Sequence, residues 1–233
     1  MNVALLLSGG IGSRLGGDIP KQYIEIHKRP VIAYCLEQLF SSEMIDLVQI
    51  VAADEWTSYI TKYIELYDQS HKFHGFSKPG ENRQMSIYHG LLDIKASADA
   101  EDYVFIHDAA RPLLTEKLIT NCILAAEEHD GALPVLAMKD TVYGSKDGKR
   151  ITGLLKRSEL FAGQAPEVFV YGKYLEANER LLPDEILEIN GSTEPAIMAG
   201  MDIAMIPGEE NNFKITTSAD MVRFKEIIEA ERG

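Results

Sequence analysis

The first candidate for chemistry is the turn Ser8-Gly9-Gly10-Ile11-Gly12-Ser13-Arg14. It leaves the apolar run Asn2–Leu7 and is followed by Pro20-Lys21-Gln22-Tyr23. Glycines let backbone N–H groups approach phosphate oxygens closely, because no Cβ stands in the way. Ser8, Gly9, Gly10 and Gly12 would supply that lining, and Arg14 and Lys21 set two cations beside it. Glycines alone describe any tight strand-to-helix turn; with the two cations they describe a turn that grips a triphosphate. Two familiar phosphate loops fit poorly. A P-loop needs Gly-Lys followed by Ser or Thr, a run this chain lacks. A dinucleotide fingerprint needs G-x-G-x-x-G, and Leu15 stands where the third glycine belongs.

Three further blocks carry usable groups. Ile106-His107-Asp108-Ala109-Ala110-Arg111-Pro112 puts a carboxylate and a guanidinium at the end of an apolar run. A carboxylate there can hold Mg²⁺ against nucleotide phosphates. Equally, Asp108 and Arg111 can form a structural pair, and His107 reads as an orienting or packing residue. Lys78-Pro79-Gly80-Glu81-Asn82-Arg83-Gln84-Met85-Ser86 has donors and acceptors suited to a base edge, or simply caps a helix. In Asn212-Phe213-Lys214-Ile215-Thr216-Thr217 a lysine lies on a short apolar strand. Pointing inward it needs an anionic partner, because unpaired burial is costly; otherwise it is exposed.

These blocks need elements to position them. Strand-like and helix-like segments alternate: Leu47–Ala53, Phe73–Phe76, Tyr103–His107 and Gly131–Ala137 read as strands. Trp56–Tyr67, Arg83–Ile94, Glu116–His129 and Ser218–Glu231 read as helices, with Gly131 as a C-terminal stop and Ser218 as an N-cap. The rhythm predicts an α/β fold, a mostly parallel sheet between helices, with ligands at the carboxyl ends of its strands. The glycine turn and Asp108 then share one rim. Asp140–Lys156 breaks the rhythm as two polar strands about Lys146-Asp147-Gly148-Lys149, a hairpin signal. Such a hairpin either packs on another subunit or stands in solvent. The 233 residues read as a single domain, 1–233, with an arm at about 139–158.

Composition narrows the class. The chain is 45% hydrophobic and 25% charged with a formal net charge of −13, which argues against a nucleic-acid partner. Nothing approaches a membrane span, and the short N-terminal apolar run is unlike a signal peptide. Cys35 and Cys122 sit in apolar helical contexts, which suggests buried thiols and a cytoplasmic protein.

Taken together, SGGIGSRLG, IPKQY, GENRQMS, HDAARP, MKDTV and NNFKITT resemble, in order and over essentially the whole chain, the cytidylyltransferases that make CDP-linked polyols. The two best-known branches use 2-C-methyl-D-erythritol 4-phosphate, for isoprenoid biosynthesis, or D-ribitol 5-phosphate, for teichoic acid or capsule precursors. The resemblance implies a Rossmann-like fold of glycosyltransferase-A type and a homodimer joined through the arm. It implies CTP and a polyol phosphate as substrates, with Mg²⁺. Carried over, Gly10 and its neighbours wrap the triphosphate, and Arg14, Lys21 and Lys214 neutralise the reacting phosphates. Gly80, Arg83 and Ser86 lie around cytosine and ribose. Asp108 lies by the metal and the acceptor with Arg111, while Thr141 and Arg157 reach the acceptor phosphate from the partner subunit.

Two stretches depart from the methylerythritol branch, Gln164-Ala165-Pro166 and Gly191-Ser192-Thr193-Glu194-Pro195-Ala196, and both lie toward the acceptor. The acceptor therefore stays open between the two. Other readings are a sugar-1-phosphate nucleotidyltransferase using another nucleoside triphosphate, and a non-catalytic nucleotide-binding relative.

Overall fold

A computed structural model describes residues 1–10 and 19–230. In chain order its elements are β1 (Asn2–Leu7), β2 (Glu25–Ile26), β3 (Arg29–Pro30), α1 (Val31–Ser41), β4 (Leu47–Val51), α2 (Asp54–Tyr67), β5 (Phe73–Ser77) and α3 (Arg83–Asp93). There follow β6 (Tyr103–Asp108), α4 (Glu116–Glu127), β7 (Gly131–Ala137), β8 (Tyr143–Gly144), β9 (Gly153–Leu154), β10 (Phe161–Gly163) and β11 (Glu167–Val170). The chain finishes with α5 (Tyr171–Glu179), α6 (Glu185–Glu188), α7 (Glu194–Met198), β12 (Ile203–Pro207) and α8 (Ser218–Ala230).

The central sheet runs β10-β7-β11-β6-β1-β4-β5, and β12 pairs with β7. β1 lies parallel to both β4 and β6, β4 to β5, and β12 to β7, whereas β11 and β10 pair antiparallel to their neighbours. The sheet is thus mostly parallel, as the alternation predicts. β1 is apolar on both faces because helices cover both. Ala4 and Leu6 join the cluster built with Ile32, Leu36, Ile60 and Ile119 from α1, α2 and α4. Val3 and Leu5 join the opposite cluster with Ile87, Leu91, Tyr174 and Leu175 from α3 and α5. An alternation of period two therefore appears as a continuous apolar run. A third cluster, Ile26, Val31, Ile215, Phe224 and Ile228, seats α8 against α1 and fastens the segment that carries Lys214.

The sheet places the rim. From β1 the order steps outward through β4 and β5, then returns to β6 on β1's other side. Strand order reverses there, and in open α/β sheets the crevice opens at such a point, outside the carboxyl ends of the strands. Register aligns the two ends: Leu7 of β1 pairs with Asp108 of β6.

Four sequence expectations change. Gly131 does not end a helix; it opens β7, where a Cβ would come 2.5 Å from the Val168 carbonyl oxygen. Ser218 is the first residue of α8 rather than its cap. The Asp220 carboxylate takes up the Thr216 and Thr217 amides at 2.9 and 2.7 Å, so the turn before the helix is the one that is capped. Lys214 lies on irregular chain, not a strand, tied by Ile215 N–H to the Ala110 carbonyl at 2.8 Å. The arm hairpin forms, but β8 and β9 have two residues each and are not purely polar; Tyr143, Ile151 and Leu154 are exposed. Its turn closes through Asp147, which accepts the Lys149 and Arg150 amides, with Gly148 at φ +67°. Cys35 and Cys122 are free buried thiols on α1 and α4. Among the described residues no helix is long and apolar enough to cross a membrane.

Candidate active site

A cleft of about 480 Å³ opens at this rim, lined in part by Gly9, Gly10, Lys21, Gln22, Gly80, Arg83, Ser86, Asp108 and Lys214. Gly9 and Gly10, the described start of the glycine turn, line one side of it. Gln22 donates its amide to the Ser8 and Gly10 carbonyls at 2.8 and 2.7 Å. The Tyr23 hydroxyl meets the Ser8 side chain at 2.8 Å, and its ring stacks on Trp56 at 4.0 Å. Pro20–Tyr23 therefore clamps Ser8–Gly10, and Lys21 on that clamp lines the cleft. Gly9 must lack a side chain, because a Cβ would lie 2.7 Å from Pro79 Cβ. Gly12 and Arg14 fall outside the described residues.

The opposite wall is the start of α3. Asn82 caps the helix, its Oδ1 accepting the Met85 amide at 2.7 Å. Ser86 accepts the Gly80 amide and donates to the Asn82 carbonyl, both at 2.9 Å, so its hydroxyl closes the loop. A Cβ on Gly80 would sit 2.3 Å from Met85 Cβ. The block is thus a capped helix start and a cleft wall at once.

Asp108 is the electrostatic hub. Arg83 reaches Oδ1 through Nε and a terminal nitrogen, both at 3.1 Å. Lys214 lies 2.9 Å from Oδ2, and Arg111 Nε is 3.6 Å from the same oxygen. Burial alone would raise the pKa of Asp108, but Arg83, Lys214 and Arg111 outweigh it and hold the carboxyl well below the usual carboxylate range. The inward lysine has the anionic partner its placement requires. Arg111 also donates to the Asn212 carbonyl at 2.7 Å, which tethers the Lys214 segment. His107 is fully buried beneath this turn. Its Nε2 donates to the Arg111 carbonyl at 3.0 Å, its Nδ1 has no hydrogen-bond partner, and burial pushes its pKa down to about 4. A neutral imidazole holding the Asp108–Arg111 turn is an orienting group.

Sequence reasoning does not single out Glu167, the buried first residue of β11. Its Oε1 lies 3.8 Å from Arg83, while Oε2 accepts the hydroxyls of Ser192 and Thr193, the latter at 3.1 Å. Burial raises its pKa, against the pull of Arg83 and the Ser192 hydroxyl. The available signal was an acid opening the apolar run Glu167–Val170. Gln164, in a stretch that departs from the methylerythritol branch, has a structural task. Its side chain bonds the Glu209 amide and carbonyl, both at 3.0 Å, which fastens the loop leading to Lys214. Thr141 and Arg157 do not line the cleft; Arg157 donates to the Lys139 carbonyl at the base of the arm.

Among the described residues, Glu81 and Asp108 are the acidic side chains lining this cleft, and Asp108 is the one held by its cations. Among the described residues no group of three or more His, Cys, Asp or Glu side chains is arranged to hold a metal. That donor set fits Mg²⁺, which keeps waters and takes one or two carboxylates together with substrate phosphates.

The chain matches the family model for 2-C-methyl-D-erythritol 4-phosphate cytidylyltransferase over residues 2–230. It is 29% identical to a ribitol-5-phosphate cytidylyltransferase of Streptococcus agalactiae, covering 100% of this chain and 98% of that one. It is 33% identical to a 2-C-methyl-D-erythritol 4-phosphate cytidylyltransferase of Geobacter metallireducens, covering 97% and 96%. The crystal structure of 4-diphosphocytidyl-2C-methyl-D-erythritol synthase from Anaerococcus prevotii superposes with a TM-score of 0.83 at 22% identity, covering 98% and 96% of the two chains, and so shares the fold. With six blocks in order along the chain, five of them meeting at one cleft and the family model spanning residues 2–230, the chain belongs to the 2-C-methyl-D-erythritol 4-phosphate cytidylyltransferase family, a family of nucleotidyltransferases.

Proposed function

We propose that this enzyme transfers CMP from CTP to a polyol phosphate, D-ribitol 5-phosphate or 2-C-methyl-D-erythritol 4-phosphate, and releases pyrophosphate. The observation that carries this reading is the meeting of Gly9, Gly10, Lys21, Arg83 and Lys214 with Asp108 in one cleft. An oxygen of the acceptor phosphate attacks the α-phosphorus of CTP. A new P–O bond forms, the bond to the β-phosphate bridging oxygen breaks, and pyrophosphate leaves with that electron pair. No residue need become covalently attached, so positioning and charge neutralisation supply the catalysis.

In this reading the glycine turn and Lys21 take the β- and γ-phosphates, together with Arg14. Lys214 leaves Asp108 for the α-phosphate, and Gly80, Arg83 and Ser86 form the wall beside the nucleoside. Asp108 would hold Mg²⁺, which when bound adds positive charge against the phosphates. Asp108 and Arg111 also face the acceptor.

The active form in this reading is a homodimer. Tyr143, Ile151 and Leu154 expose apolar surface on the arm, which a second copy would cover. Thr141 and Arg157 then serve the partner's cleft, since they do not line their own. The two buried thiols suit a reducing, cytoplasmic setting.

Pyrophosphate release is measured with CTP, UTP and GTP against ribitol 5-phosphate, methylerythritol 4-phosphate and sugar 1-phosphates. Turnover with CTP and one polyol phosphate is expected. Turnover only with UTP or GTP and a sugar 1-phosphate would overturn the reading, as would binding of CTP without turnover on any acceptor.

A further inference from the structure

The Arg83 guanidinium lies between two carboxylates, and only one of them belongs to the cleft. Asp108 holds the edge made by Nε and one terminal nitrogen, both 3.1 Å from Oδ1. The other terminal nitrogen donates to the Ser192 hydroxyl at 2.5 Å. That hydroxyl in turn donates to Glu167 Oε2, and Thr193 donates to the same oxygen. Glu167 Oε1 faces Arg83 directly at 3.8 Å. Ser192 is thus a relay with a fixed sense: it accepts from the guanidinium and gives its one proton to the carboxylate.

Behind this relay the turn is rigidly backed. The Tyr174 hydroxyl donates to the Ser192 carbonyl at 2.6 Å. The Gln84 amide reaches Tyr174 and Asn178 at 3.0 and 2.5 Å. All three of those side chains are buried. Glu167 itself pairs across the sheet with Ile106, just before Asp108 on β6. It lines no part of the cleft.

In the cytidylyltransferase reading, on which this inference rests, Asp108 must turn from its cations toward the metal and acceptor. Arg83 then loses its main anion while a triphosphate arrives in the same cleft. A guanidinium on a flexible stem would follow the phosphates and close over Asp108 unless something retained it. We propose that Glu167 is a positioning residue that retains Arg83 against the Ser192–Thr193 turn through the change of partners at Asp108. The polyol site stays open because Arg83 stays back.

The test is a double-substitution cycle read in kcat and in the two KM values. Glu167→Gln keeps an oxygen for Ser192 and Thr193 and removes the charge that faces Arg83. It is expected to lower kcat about tenfold, the loss of a charge-assisted contact, with KM for CTP within about twofold. In an Arg83→Met background the same change should cost less than about twofold, since its target is gone. A loss in that background equal to the loss in the wild type would overturn the proposal, and so would full activity in Glu167→Gln.

A second readout does not depend on turnover. In the ¹⁵N spectrum of arginine side chains, the Arg83 Nε–H signal, assigned by its loss in Arg83→Met, should stay sharp in the wild type with CTP and Mg²⁺ present. It should broaden in Glu167→Gln and in Ser192→Ala, which cuts the relay without touching the acid. A signal equally sharp in all three would overturn the proposal. An inactive wild type with both polyol phosphates would instead refute the functional reading.

Discussion

Replacing Asp108 with Asn tests the charge hub most directly, because shape is kept and one charge is lost. Three cations would then face one another with a neutral amide between them. Removing one partner of a buried ion pair costs about 3–5 kcal/mol, because it leaves charge buried without compensation. Here the low end applies. The Arg83 and Lys214 side chains are 32% and 35% exposed and can recruit water, and Arg83 keeps Glu167. Only Arg111, at 13%, is left in a largely dry place. The expected loss at pH 7 is therefore about 3 kcal/mol, or roughly 6–12 °C in Tm for a chain of this size.

The pH dependence has a definite sign. The folded pKa of Asp108 is depressed, so its stabilisation is complete above the unfolded carboxyl value and is lost as pH falls toward the folded one. Between pH 7 and pH 3 the wild-type advantage over Asp108→Asn should shrink by about 1.3 kcal/mol, from an unfolded pKa of about 3.9. Urea unfolding followed by circular dichroism at pH 7, 5, 4 and 3 measures it. The advantage should be flat from pH 7 to 5 and fall below pH 4. A difference below about 1 kcal/mol at pH 7 would refute the claim that the three cations lean on Asp108. So would a gap that does not narrow at pH 3.

Further outcomes follow from the cleft. Lys21→Ala should lower kcat by about 10²–10³, the scale for one transition-state charge contact, in the pyrophosphate assay; near-normal turnover would remove Lys21 from the triphosphate site. Arg157→Ala should raise KM for the polyol phosphate more than KM for CTP, and equal effects would count against an acceptor contact from the arm. Gly80→Ala should destabilise the fold by about 1–3 kcal/mol through overpacking, because its Cβ would meet Met85 Cβ at 2.3 Å. An unchanged urea midpoint would show that the loop yields instead.

The alternation of strands and helices, and the blocks that carry charge, are legible in the amino-acid order alone. Asn2–Leu7 and Tyr103–His107 are legible because a strand covered on both faces must be apolar throughout. The cleft residues Lys21, Arg83, Asp108 and Lys214 are legible because each lies in a block with its own composition. Capping was less so: Thr217 and Ser218 differ little as sequence, and the Asp220 carboxylate decides which amides are satisfied. Gly131 reads both as a helix stop and as the first residue of a strand; the structure keeps only the second, which the packing of Val168 and Phe169 requires.

Which charges face one another is set by how the chain folds back on itself. Asp108, Glu167 and Lys214 are far apart in the chain, and nothing local says that Arg83 bridges two carboxylates while Lys214 meets one of them at 2.9 Å. Long-range pairing of this kind is set by strand order. β11 enters the sheet antiparallel beside β6, which brings Glu167 opposite Ile106 and behind Arg83. Periodicity predicts that such strands exist; only the packing of both sheet faces chooses their neighbours.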